Sequence, residues 1–285
     1  MVKFSIIGDM GSGTNQQLIV AKSLNYIINK NDCKFVCGLG DNIYNIGCSS
    51  PEDKQFETKF EIPYKKISNN IKFFMSLGNH DYGLDLGIIK MNNSINQILY
   101  SQISEKKNKK WILPNHYYTF KKGNIQFYVI DTNLYAMTLS QINKQLKYIK
   151  EKINESTSKW NIIYGHHPYR SVGGHGNADE ELNKFLKSIF KTGKIDLYMC
   201  GHDHNKQLII TKLPDNKYIH LLVCGTGGQD LDDYIDENNL DKKKSKLLWF
   251  SSTPGTALIN STNTTLNITF YNLKKPEYNY TITKK

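Results

Sequence analysis

Five short polar motifs, spread along nearly the whole chain, place metal-binding side chains where predicted strands end. They are Gly8-Asp9-Met10-Gly11, Gly40-Asp41-Asn42-Ile43-Tyr44, Gly78-Asn79-His80-Asp81, Gly165-His166-His167-Pro168 and Gly201-His202-Asp203-His204. An α/β sheet binds its ligands in the crevice outside the carboxyl ends of its strands, so these side chains are expected to converge on one site. Carboxylate and amide oxygens, a phenolate and several imidazoles suit two adjacent metal ions of the Zn, Fe or Mn kind.

The motifs differ in how specific they are. A single Gly-Asp pair after a strand usually marks a turn. Adjacent imidazoles and carboxylates at a strand end are more specific, because their desolvation costs free energy unless a cation or a functional role compensates for it. The five motifs in this order resemble those of the calcineurin-like metallophosphoesterases, and within them those of the small, mammalian-type purple acid phosphatases, also called tartrate-resistant acid phosphatases. The resemblance runs from about Lys3 to the C-terminal strands. Its discriminating residue is Tyr44, since most other metallophosphoesterases lack a tyrosine ligand there.

The resemblance implies a set of metal ligands. A trivalent iron would be held by Asp9, Asp41, Tyr44 and His204, and a divalent iron, zinc or manganese by Asp41, Asn79, His166 and His202, with Asp41 as the bridge. The donor types agree with this division, because phenolate and carboxylate suit the harder ion and imidazoles the softer one. The expected nucleophile is a metal-bound hydroxide, since a cation lowers the pKa of bound water far below its bulk value of ~15.7. A trivalent ion lowers it further, which would keep the enzyme active at acidic pH.

Two further histidines are predicted to act on the leaving group, which needs a proton or a cationic partner as it departs. His80 follows the predicted ligand Asn79. His175 stands in Gly173-Gly174-His175-Gly176 and matches a glycine-flanked histidine of the small purple phosphatases; a flexible loop with an incidental histidine is the other interpretation. His167 is expected to point away from the site, because neighbouring side chains alternate on an extended backbone.

The function expected from the motifs is hydrolysis of phosphomonoesters, with phosphorylated small molecules or phosphoproteins as substrates. One alternative keeps the metals and changes the substrate to phosphodiesters or nucleotides. Another is a scaffold that keeps the fold without catalysis, although decayed relatives usually lose ligands and every ligand position is filled here.

The composition of the chain bears on nucleic-acid binding, disulfides and zinc ribbons. The net charge of +11 comes mostly from lysine in runs such as Glu105–Lys110 and Asp241–Lys246. Aromatic residues do not interleave with these runs, so we expect a solvated surface, no specific nucleic-acid binding and a positive field that attracts phosphorylated substrates. Five cysteines without a Cys-x-x-Cys pair indicate neither a disulfide framework nor a zinc ribbon.

Targeting signals are not evident. No stretch approaches the ~20 apolar residues of a membrane span, and Met1-Val2-Lys3 leads directly into the first predicted strand. The expectation is a monomer without a signal peptide and cytoplasmic by default, although the relatives implied by the resemblance are often secreted or lysosomal.

The elements that position the motifs predict a single catalytic domain over residues 1–285. Helices are expected from Thr14 to about Asn29, from Ser140 onward and around Leu182 to Ile189, with strands before each motif and a series of strands after His204. This pattern predicts an α/β fold, a four-layer α/β/β/α sandwich of two mixed sheets, as the resemblance also implies. The segment from Gln229 to Phe250 is predicted to be a long surface loop.

Overall fold

The computed structural model describes residues 1–83, 89–107, 109–213 and 216–284. Within them, fourteen strands form two seven-stranded sheets, packed face to face with helices outside. The strands are β1 Val2–Ile7, β2 Phe35–Gly38, β3 Lys72–Met75, β4 Trp111–Ile112, β5 Tyr118–Lys122, β6 Ile125–Val129, β7 Trp160–Tyr164, β8 Leu197–Cys200, β9 Lys206–Lys212, β10 Tyr218–Cys224, β11 Ser245–Ser251, β12 Gly255–Ser261, β13 Thr265–Asn272 and β14 Lys275–Thr283. The helices are α1 Asn15–Asn31, α2 Lys54–Phe56, α3 Met91–Lys106, α4 Leu139–Glu155 and α5 Glu180–Phe190. The predicted four-layer sandwich is confirmed.

Each sheet contains a block of parallel strands. The first sheet has the order β14-β13-β12-β1-β2-β3-β4, in which β1 to β4 are parallel and β12 to β14 run antiparallel. The second has the order β11-β9-β10-β8-β7-β6-β5, with β6, β7, β8 and β10 parallel. The parallel blocks are the parts of the sheets whose carboxyl ends can present a shared site.

An aromatic cluster joins the inner faces of the two sheets. Phe4 of β1 stacks on Phe35 of β2, with ring centroids 5.0 Å apart. Phe127 of β6 meets these two rings edge-on at 5.2 and 5.5 Å. All three rings are buried, so contacts of this kind fix the distance between the sheets as well as excluding water.

The helices follow the predicted pattern with two differences. Thr14 caps α1 as expected, but α4 begins at Leu139 rather than Ser140, because Thr138 and Gln141 form a capping box. The sequence analysis did not predict α3. Its buried face carries polar residues such as Gln97 and Ser101, so the helix lacks the apolar period that sequence patterns detect.

The prediction of a surface loop from Gln229 to Phe250 is wrong in its last part. Ser245–Ser251 forms β11, an edge strand that pairs antiparallel with β9. A bulge between Leu247 and Trp249 interrupts the alternation of side chains, and a lysine-rich segment precedes the strand. Both features obscure the period of two that identifies strands in sequence.

A buried lysine ties the second sheet to the first. Lys206 at the start of β9 is fully buried, and its ammonium donates to Glu277 at 2.8 Å and to the Tyr271 carbonyl at 2.7 Å. Thr253 accepts a third hydrogen bond at 2.9 Å. Because Glu277 lies on β14 and Tyr271 on β13, this ion pair connects the far edge of the first sheet to the second.

No helix in the described part of the chain is long and apolar enough to cross a membrane. All five cysteines are free and buried, in agreement with the absence of a disulfide framework expected from the sequence. Cys200 and Cys224 lie in buried strands, where a thiol packs as a small apolar group.

Glu277→Ala is predicted to lower the free energy of unfolding by about 2 kcal/mol, because it removes a charge-assisted hydrogen bond from a buried ammonium. Chemical denaturation at neutral pH measures the change. The control is Glu180→Ala, which breaks the exposed Glu180–Lys184 pair and should change stability by less than about 0.5 kcal/mol. Equal effects of the two substitutions would contradict a role for Lys206 in joining the sheets.

Candidate metal centre

The five motifs meet at the end of the sandwich where the parallel strands of both sheets finish. β1, β2 and β3 of the first sheet lead into the motifs that contain Asp9, Asp41 and Asn79. β7 and β8 of the second sheet lead into the motifs of His166 and His202. A hydrogen bond between His166 Nδ1 and the Leu39 carbonyl, 2.9 Å long, joins the two sets of loops.

One group of donor atoms lies around the phenol of Tyr44. Its hydroxyl is 3.0 Å from Asp9 Oδ1 and 3.2 Å from His204 Nε2. His204 Nε2 is in turn 3.6 Å from Asp9 Oδ1. Three side chains from the ends of β1, β2 and β8 therefore bring one donor atom each to the same point.

A second group lies around the imidazole of His166. Its Nε2 is 3.0 Å from Asn79 Oδ1 and 3.1 Å from His202 Nδ1. Asp41 Oδ2 is 3.2 Å from the same nitrogen. Together the two groups bring all seven predicted ligands together.

The spacing of these atoms fits shared cations. Two donors about 2.1 Å from one ion and at right angles to each other are about 3.0 Å apart. The ring of His166 also has the tautomer that a ligand requires, because Nδ1 donates to the Leu39 carbonyl and leaves the lone pair of Nε2 facing other acceptor atoms. The carboxylates, phenol, amide and imidazoles present are therefore a set that metal ions of the Zn, Fe or Mn kind would satisfy.

The charges in the site also favour cations. Burial raises the pKa of Tyr44 well above its usual value, and the neighbouring carboxylates of Asp41 and Asp9 raise it further. Burial would lower the pKa of His166, but the charge of Asp41 and its hydrogen bonds raise it to about 9. A bound cation would act in the opposite direction, because positive charge stabilises a phenolate and a neutral imidazole.

The pKa of His202 is shifted in the opposite direction to that of His166. Burial lowers its pKa well below the usual value, and the surrounding histidines His167, His166 and His175 add to this effect. A neutral imidazole is the form that binds a metal ion.

The backbone bends sharply at three of the predicted ligands. Asp9, Asp41 and His202 have φ angles of 56°, 49° and 71°, in the left-handed region that residues other than glycine rarely adopt. Gly78 leaves room for this arrangement, since a Cβ there would lie 2.1 Å from Asp41 Oδ1. Unfavourable backbone conformations concentrated at one place are typical of functional sites.

Asp81 supports the loops from behind, a role that the sequence analysis did not identify. Its buried carboxylate accepts hydrogen bonds from the backbone N–H groups of Gly78 and Asn42, at 2.8 and 3.0 Å, and from Gln97 at 2.7 Å. It thereby joins the loops that carry Asp41 and Asn79. In the sequence, the only indication of this supporting role was the position of Asp81 inside the Gly-Asn-His-Asp motif.

His80 lies on the Tyr44 side of the two groups. Its ring is 4.3 Å from the Tyr44 ring, and its Nε2 is 3.9 Å from Asp41 Oδ2. Nδ1 is 2.8 Å from the Asn45 carbonyl, so this nitrogen donates and fixes the orientation of the ring. The second nitrogen remains directed toward the donors.

The ring of His175 lies against that of His202, with ring centroids 4.1 Å apart. Its loop is tied to the centre, because Asp203 accepts a hydrogen bond from the His175 N–H at 2.9 Å and another from the Ser171 hydroxyl. Asp203 stands between the two histidines of the Gly-His-Asp-His motif. This anchoring argues against an untethered glycine loop with an incidental histidine.

The expectation that His167 points away from the site is wrong. Its ring lies 4.5 Å from that of His202, and nitrogen atoms of His166, His167 and His202 lie within 4.8 Å of one another. The chain bends immediately after β7, so the alternation of side chains on an extended strand does not apply to this pair.

The chain is similar in sequence and in fold to several known proteins. The calcineurin-like phosphoesterase family model matches residues 2–206. The chain is 28% identical to purple acid phosphatase 4 of Arabidopsis thaliana, over 95% of this chain and 80% of that protein. It is 27% identical to tartrate-resistant acid phosphatase type 5 of Sus scrofa, over 80% of this chain and 70% of that protein. The solved structure of GAP50, the anchor in the inner membrane complex of Plasmodium, shares the fold with a TM-score of 0.80 at 23% identity, covering 100% of this chain and 89% of that chain.

Asp41→Ala and Asn79→Ala are each predicted to reduce the metal bound per chain and to lower turnover by at least about 10²-fold, since each removes a donor from the second group. Elemental analysis of the purified variants measures the metal content. The control is Asp230→Ala, which removes an exposed carboxylate. Two metal ions per chain and near-normal rates in either variant would contradict the ligand assignment.

Proposed function

The chain belongs to the calcineurin-like phosphoesterase family, and we propose that it hydrolyses phosphomonoesters with two metal ions held by the seven donors described above. Its curated relatives are purple and tartrate-resistant acid phosphatases, which confirms the predicted enzyme class, an acid phosphatase. The observation that carries the binuclear proposal is the meeting of two donor groups, one around Tyr44 and one around His166. Asp41 would belong to both.

The two groups differ in chemistry, which supports different ions. The phenol of Tyr44 with the carboxylate of Asp9 suits a trivalent iron, while Asn79 and His202 suit a divalent iron, zinc or manganese. When bound, such a pair supplies positive charge that activates a water molecule and neutralises the phosphate oxygens. The chain's own contribution is to hold the donors at fixed distances from one another and to keep the imidazole of His202 neutral.

The remaining polar groups would act on the substrate. His80 lies against Tyr44 and His175 against His202, so each histidine is next to one donor group and could contact a phosphoryl group bound there. One can donate a proton to the departing oxygen while the other stabilises the phosphoryl oxygens. Asn45 and Asp203 hold the two histidines in place.

The proposal extends to the whole chain, residues 1–285, as one catalytic domain acting as a monomer on phosphorylated small molecules or phosphoproteins. The antiparallel pairing of β12 with β1 supports the inclusion of the C-terminal strands. The second sheet also depends on them, through the Lys206–Glu277 pair.

Two rival functions are separated by one assay. Hydrolysis of 4-nitrophenyl phosphate in preference to its bis-aryl diester at acidic pH supports a monoesterase, whereas the reverse preference supports a diesterase. A non-catalytic scaffold predicts no turnover of either ester and fewer than two metal ions. The likeness to GAP50 shows the fold alone, and the filled donor set of the present chain favours an enzyme.

Tyr44→Phe is predicted to bleach the oxidised protein. A phenolate bound to ferric iron should give a charge-transfer band in the visible, and phenylalanine removes the oxygen while keeping the ring. Absorption spectra of the two iron-loaded proteins measure the change, and circular dichroism controls for the fold. A colourless oxidised, iron-loaded wild type would refute tyrosine ligation and favour a zinc- or manganese-only centre.

His80→Ala and His175→Ala are predicted to lower turnover of alkyl phosphates by roughly 10²–10⁴-fold, the usual range for general acid catalysis. The loss should be smaller for activated aryl phosphates, whose leaving groups need less protonation, and smaller for the exposed His175 than for His80. Steady-state kinetics on both substrate types measure the effect. Equal losses on alkyl and aryl substrates would instead identify an electrostatic contact with the phosphate.

A further inference from the structure

A small cavity opens beside the second donor group. It has a volume of about 170 Å³ and is lined by His175 and His202 on the side of the centre. Thr132, Tyr135, His167 and Leu182 are among its other walls. A histidine proposed to protonate the leaving oxygen must lie within hydrogen-bond reach of it, so a cavity next to His175 lies where the leaving group would extend.

The protonation of His167 follows from the hydrogen bonds of Thr132. The hydroxyl oxygen of Thr132 accepts hydrogen bonds from the backbone N–H groups of His166 and His167, at 3.3 and 3.1 Å. Both lone pairs of the oxygen are then occupied, so its own proton is directed to His167 Nδ1 at 2.7 Å. In the neutral ring the remaining proton is therefore on Nε2.

This arrangement is the opposite of that at His166. There Nδ1 donates to the Leu39 carbonyl and Nε2 is free to bind a cation. His167 instead presents an N–H group at Nε2, and no hydrogen bond among the residues that the structure describes uses it. A ring in this tautomer cannot bind a metal through Nε2, but it can donate to a ligand in the cavity it lines.

The other residues that line the cavity determine which leaving groups can bind there. Leu182, Pro168 and Ala178 supply apolar surface, and the exposed ring of Tyr135 covers one side. A cavity of about 150 Å³ can hold a benzene ring, so one six-membered ring fits here and a nucleoside does not. Asp179 also lines the cavity and disfavours leaving groups that carry negative charge.

We propose that this cavity is the leaving-group subsite and that it selects monoesters of a neutral, single-ring alcohol such as a phenol or a tyrosyl side chain. The ring would contact Tyr135 and Leu182, and His167 would be a substrate-binding residue that donates from Nε2. This inference rests on the proposed function, since it takes the donor groups to bind the phosphoryl moiety.

The test compares two non-hydrolysable probes, benzylphosphonate and methylphosphonate, on the metal-loaded protein by isothermal titration calorimetry. Burial of one aromatic ring should make benzylphosphonate bind about tenfold more tightly or better. Ala178→Phe, which fills the cavity, and Tyr135→Ala, which removes one wall, should each reduce this preference severalfold. Glu181→Phe, which adds the same ring at an exposed position outside the cavity, should leave it unchanged.

His167→Phe separates a donor from a metal ligand. It keeps a ring of similar shape, so the metal content should stay that of the wild type while kcat/KM for phenyl phosphate, whose ester oxygen can accept a hydrogen bond from Nε2, falls severalfold. Loss of one metal ion in this variant would make His167 a ligand and overturn its assignment.

Equal affinity of the wild type for the two probes, or a preference that survives in both Ala178→Phe and Tyr135→Ala, would overturn the subsite. In either case continued turnover of phosphomonoesters leaves the proposed function standing. Absence of both turnover and methylphosphonate binding would overturn the function and the subsite together.

Discussion

The buried carboxylate of Asp41 is the constraint on which the arrangement of the centre depends. One oxygen accepts the His80 N–H at 2.9 Å, and the other lies 3.2 Å from His166 Nε2, so the group joins loops from both sheets. It reaches this position only with a left-handed backbone and with no Cβ at Gly78. The hydrogen bonds that Asp81 accepts hold the same loops in place and offset this local cost.

The sequence was sufficient for the fold and for the convergence of the donors, because short polar motifs after apolar strands have one favoured place in an α/β sheet. The sequence did not predict the features that depend on tertiary contacts. Helix α3 is buried through Gln97 and Ser101, so no apolar stripe marks it. His167 faces the centre because the chain bends after β7, and Lys206 is buried because Glu277, distant in sequence, neutralises it.

The fold and the site carry different information about function. The same sandwich serves as an anchor in another protein, and sheets joined by an aromatic core around Phe4 and Phe127 do not imply catalysis. The filled donor set is specific, because buried carboxylates, a phenol and imidazoles at about 3 Å from one another are unfavourable without a compensating charge. The ends of the strands therefore bear on function, and the layers beneath them on stability.

Asp203 couples the order of two loops, the turn after β8 and the glycine loop that carries His175. The residue stands between His202 and His204 in the chain and holds the N–H of His175 at the same time. Any change that orders the turn after β8 also orders the glycine loop, and the reverse must hold to the same extent. Occupancy of the proposed cation site and placement of the proposed proton donor would thus be a linked equilibrium.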